Sequence, residues 1–130
     1  MTHTEHFNPV TRSLLQRLND PQLSEFVARW DALEALVIRA FRGQVVTPGD
    51  EAEHNRVRTW LAQAYPRWQM ALQPHWQQAT IAGRAVSKDP FAHILAIERA
   101  RDFVGDWSAM QTLPAAREAL NRYLVDLLHR

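Results

Sequence analysis

The strongest constraint on this chain is where its prolines fall. Asn8-Pro9, Asp20-Pro21 and Asp89-Pro90 each set a short side-chain acceptor directly before a proline. That pair suits the N-cap and first position of a helix, where the N–H that proline lacks has no intrahelical partner anyway. Thr47-Pro48-Gly49-Asp50 adds an acidic residue at the third position, a capping-box pattern, and Thr112 can cap the final segment. These marks predict five helix starts. Gly43 and Gly83 are suited to end helices, and no window alternates apolar and polar residues between turn signals as a strand does. The chain is expected to be all-α, a five-helix bundle-like single domain over residues 1–130, with 1–7 a flexible N-terminus.

Helical periodicity agrees. Residues 21–42 carry Leu23, Phe26, Val27, Trp30, Leu33, Val37 and Phe41 on one face, and 113–129 carry Leu113, Ala116, Leu120, Tyr123, Leu124 and Leu127. Residues 9–18 give a short helix with Val10, Leu14 and Leu18. A fourth helix is expected from 90 to about 105.

The third helix contains two prolines. Pro-x-Trp-Gln occurs at Pro66 and again at Pro74, inside YPRWQMALQPHWQQ. A stripe of Val57, Leu61, Ala64, Trp68, Ala71, Leu72, His75 and Ala79 keeps its phase through both. Tyr65 is a poor N-cap, so a break there has no local support. The expectation is one helix from 48 to about 82, kinked at Pro66, with the freed Ala62 carbonyl turned to solvent. Against this stands the bias of a residue preceding proline away from α geometry.

Trp60, Trp68 and Trp76 are spaced by eight residues, which on a straight helix is an advance of about 12 Å and a turn of about 80°. They therefore share no face and form no aromatic cage on their own; they read as core and boundary residues. With 15 Lys and Arg against 14 Asp and Glu, the chain has no strong field for nucleic acid or an anionic membrane, and neither is expected as a partner. The absence of cysteine removes disulfides, thiolate nucleophiles and Cys-ligated zinc. The start has no export-signal pattern, and no apolar run is long enough to span a bilayer, so a cytoplasmic location is expected.

Six histidines raise the question of metal. His3, His6 and His129 lie near the termini. Glu51-Ala52-Glu53-His54 holds one Glu-x-x-His unit, whereas di-iron bundles use two with further glutamates. Acidic residues in a first helical turn are favoured by the macrodipole alone. No metal, cofactor or catalytic residue is assigned. More informative are charges within apolar stripes: Glu34 in the second helix, and Glu98 and Asp102 in the expected fourth, with Arg101 on its edge. Such carboxylates either serve a pocket or form structural ion pairs.

Two functional expectations follow. The first is a non-catalytic protein-interaction or dimerisation module, because a 35-residue third helix, about 50 Å long, exceeds what its shorter neighbours cover. Trp60 and Trp76 are then the interface candidates. The second is a small-molecule-binding bundle, with Glu34, Trp68, His75, Glu98 and Asp102 as pocket candidates. A metal enzyme on carboxylates and histidine is the remaining alternative. A continuous third helix brings His75 level with Glu98, so contact between His75 and Glu98 or Asp102 is expected, and Glu34, His54 and Glu98 are not expected to converge.

Overall fold

A computed structural model describes residues 9–44, 46–81, 83–86 and 88–130. Helix α1 spans Pro9–Leu18, α2 Pro21–Phe41, α3 Pro48–Ala64, α4 Pro66–Gln77, α5 Pro90–Leu95 and α6 Trp107–Leu128. A two-residue antiparallel ladder pairs β1 (Thr80–Ile81) with β2 (Arg84–Ala85), and a 3-10 turn runs over Ala100–Phe103. With α3 and α4 taken as two arms of one kinked helix, the architecture is the expected all-α, five-helix bundle. Residues 1–7, including His3 and His6, and the proposed Asn8 cap lie outside the described residues.

Three of the five expected caps form, at Asp20, Thr47 and Asp89. Asp20 accepts from the Gln22 and Leu23 N–H groups, and Asp89 from those of Phe91 and Ala92. Thr47 and Asp50 form a reciprocal capping box. Each cap satisfies donors that the first helical turn leaves open, worth about 1 kcal/mol.

At Pro66 the backbone bends without reversing. Tyr65 keeps α geometry (φ −56°, ψ −40°), and its N–H still reaches the Leu61 carbonyl. Beyond the proline, both Trp68 and Gln69 N–H groups bond the Tyr65 carbonyl, restarting the ladder. The exposed Ala62 has no i+4 donor because Pro66 has no N–H. The arms pack on different partners: α3 on α2 and the 3-10 turn, α4 on α6. Helix α1, α5 and β1 also pack on α6. Trp30, Phe26, Phe91, Phe103, Leu61, Leu72, Leu120 and Leu124 fill the space between and are essentially inaccessible.

Three helix extents differ from the sequence expectation. The third helix stops at Gln77 instead of near 82, because the chain turns into the β1–β2 hairpin. Gly83, at φ 79°, lies between those strands and ends no helix. The fourth helix stops at Leu95, ten residues early. There Arg58 on α3 donates to the Leu95 carbonyl (3.2 Å), and Glu51 accepts the Ala100 N–H (2.6 Å), so side chains of another helix hold the chain in non-helical form. The last helix begins at Trp107, capped by Asp106, and carries Pro114 in its interior. Thr112 is not its cap; its hydroxyl donates back to the Ser108 carbonyl, and Thr112 itself is buried.

Candidate functional site

The carboxylates and imidazoles singled out in the sequence go to separate places. Glu34, on the buried face of α2, accepts from Arg117 Nε of α6 at 3.2 Å, while Nη2 of the same guanidinium bonds Asp31. Arg117 is thus a clamp joining two carboxylates one helical turn apart. Burial still pushes the Glu34 carboxyl above its ordinary range; Arg117 opposes this and Asp31 adds to it. Arg117 Nη1 is buried with no hydrogen-bond partner among the described residues.

His54 is fully buried on α3 with neither ring nitrogen hydrogen-bonded among the described residues, its ring edge-on to Phe103 at 5.7 Å. Burial holds its pKa below the usual histidine value, aided by the Arg58 charge and opposed by Glu51, the Glu98 main chain and Asp102. The Glu98 main chain is near enough to be felt, but no hydrogen bond of good geometry forms to it. Glu51 and Arg58, on the same face of α3 as His54, fasten the stretch from Leu95 to Ala100. Of the Glu-x-x-His unit, Glu51 bonds this loop while His54 packs on Phe103.

Glu98 and Asp102 are exposed and leave no apolar stripe, since α5 ends before either. His75 does not meet them. It packs on the Tyr123 ring of α6 at 5.8 Å, where burial lowers its pKa and Asp126 opposes the shift. The expected His75 contact is corrected by the early end of α5, which leaves no fourth-helix face for α4 to meet. A shallow groove of about 850 Å³ passes His75, Arg122, Asp126 and His129. Among the described residues, no three His, Asp or Glu side chains are grouped as metal ligands.

A concavity with an aromatic lining is at the kink. Trp60 of α3 and Trp68 of α4 line one groove of about 510 Å³ with Pro21, Gln22 and Glu25 of α2 and with Gln63, Ala64 and Arg67. Trp60, Gln63, Ala64, Arg67 and Trp68 stand at i, i+3, i+4, i+7 and i+8, one helical face carried through Pro66, so the expectation that the two indoles share no face is corrected; the start of α2 completes the lining. Trp68 is held by Phe26, 4.7 Å away. Arg29 covers Trp60 at 5.0 Å and Arg67 covers Trp68 at 5.3 Å, as cation–π pairs. Trp76, by contrast, is 6% exposed and belongs to the core.

The bend has its own support. The Tyr65 ring stacks on Phe91 at 5.3 Å, and its hydroxyl donates to Asp89 Oδ2 at 2.6 Å, the carboxylate whose other oxygen caps α5. Burial and the Asp89 contact push the Tyr65 phenol far above its ordinary pKa. Arg117, Asp31, Tyr65, Arg67, Arg29 and Asp106 went unassigned in the sequence. Only Asp106 had a local signal, a short acceptor after Gly105 ahead of a helix-compatible run. Comparison with protein-family profiles, with curated proteins and with solved structures gives no match.

Proposed function

We propose that this chain is a non-catalytic helical binding module whose ligand site is the groove between Trp60 and Trp68. One observation carries the reading: two indoles from opposite arms of a kinked helix line a single groove of about 510 Å³. That volume lies within the range of small-ligand sites, which combine apolar and aromatic walls with a few polar groups. Gln22, Glu25, Gln63 and Arg67 supply the polar groups. The side-chain indole N–H signals of Trp60 and Trp68, followed by NMR against a set of small aromatic fragments, test it. Saturable shifts at these two and not at Trp30 are expected. Absence of any shift at both would end the proposal.

Self-association is a second reading, and a different surface favours it. Trp107 is 69% exposed at the start of α6, edge-on to Phe41 at 4.9 Å, with Val104 also exposed three residues before it. A large aromatic left in water is a usual anchor of a protein contact. On this reading the protein is a cytoplasmic homodimer, and light scattering at tens of micromolar reports a dimer that Trp107→Ser returns to a monomer. A monomeric unsubstituted protein at that concentration would dismiss it.

A further inference from the structure

The arginines stacked on the two indoles, of which Arg67 lines the groove itself, point to the class of ligand. A guanidinium stacked on an indole occupies the ring face that an ammonium ligand needs, yet keeps its in-plane N–H groups available for an anion. Arg29 and Arg67 hold these positions on Trp60 and Trp68. They differ in what else they bind. Arg29 also pairs with Glu25 at 3.5 Å, whereas Arg67 forms no ion pair among the described residues. Asp20, next in sequence to the Pro21 edge of the groove, directs one carboxylate oxygen to the Gln22 and Leu23 amides. The charges on the lining are Arg67 (+1) and Glu25 (−1), and Arg29, beside the lining, is the partner of Glu25, so Arg67 is the lining cation with no ion-pair partner among the described residues.

We infer that the groove takes a small apolar acid, its aromatic or aliphatic body between Trp60 and Trp68 and its carboxylate on Arg67. This rests on the binding-module reading and adds charge selectivity to it. Trp68 makes the anchor better than a free surface arginine: stacking restricts the guanidinium before the ligand arrives, so less side-chain entropy is lost on binding. Glu25, held by Arg29, sits on the same lining and disfavours a second negative charge, so a monoacid is preferred to a diacid.

The test compares three probes with one body and different heads: 3-phenylpropionate, 3-phenylpropan-1-ol and 3-phenylpropylammonium. Calorimetry gives affinity, and the Trp60 and Trp68 indole signals give the location. The carboxylate should bind about tenfold more tightly than the alcohol, the magnitude of one charge-assisted hydrogen bond, and the ammonium should bind most weakly. In Arg67→Gln, an exposed position whose change leaves the core intact, the carboxylate-to-alcohol ratio should fall to about one. Equal binding of acid and alcohol, preference for the ammonium, or an undiminished ratio in R67Q would overturn the inference while leaving the groove a ligand site. If no probe moves either indole signal, the groove reading and the acid preference fall together.

Discussion

Glu34 and His54 are both buried, at 6% and 0% exposure. Glu34 belongs to a cluster in which one guanidinium serves two carboxylates, whereas His54 has no hydrogen bond at either ring nitrogen among the described residues. The difference follows from the options each side chain has. A carboxylate stripped of water is costly unless paired, and α6 supplies Arg117 from across the core. An imidazole can shed its charge, so His54 is accommodated as a neutral ring against Phe103 at the smaller cost of unpaired polar atoms. Equal burial therefore says little about how strongly the fold depends on a residue.

The largest effect expected from breaking this contrast is at Arg117. Arg117→Met leaves Glu34 and Asp31 without their partner and should cost about 3–5 kcal/mol in urea unfolding. The deficit should shrink as pH falls toward 4.5, because the Glu34 carboxyl, already raised by burial, takes up a proton. A loss below 1 kcal/mol at pH 7 would mean the cluster is solvated. Next comes Tyr65→Phe, which removes a neutral donor from the Asp89 carboxylate. A loss of about 1–1.5 kcal/mol is expected from denaturant midpoints, with the Asp89 cap on α5 retained.

His54→Leu should be neutral or stabilise by up to about 1 kcal/mol at pH 7, since it replaces unpaired nitrogens with carbon of similar bulk. The same variant should alter pH dependence. As pH falls through about 6.5, the unfolded imidazole takes up a proton that the buried one, with its lowered pKa, resists. Stability is thus full above about 6.5 and declines below it. His75, lowered by burial in the same direction, retains part of that slope in H54L. An unchanged acid slope between pH 7 and 5 would show that His54 is hydrated. The smallest effect is at the exposed Glu25–Arg29 pair, where Glu25→Gln should change stability by less than about 0.5 kcal/mol.

What the sequence determined by itself is what short range controls. The Asp20, Thr47 and Asp89 caps bond amides two or three residues away, so their acceptor–proline signals could be taken at face value. The stripe of α2 and the unbroken phase through Pro66 were equally local. At the candidate site this legibility reached only individual residues, such as Trp60 and Trp68, and missed their meeting. Tertiary structure decided the rest, through contacts between residues far apart in the chain. Arg117 finds Glu34 across 83 positions, Arg58 finds the Leu95 carbonyl across 37, and Glu51 the Ala100 amide across 49. Those last two bonds end α5 although Ala96, Ile97 and Glu98 are compatible with a helix, because a few tenths of a kcal/mol of propensity per residue yield to hydrogen bonds and the burial of Ala100 and Phe103. The groove arises in the same way: one face of the kinked helix carries both indoles, and the start of α2, distant in the chain, completes the lining.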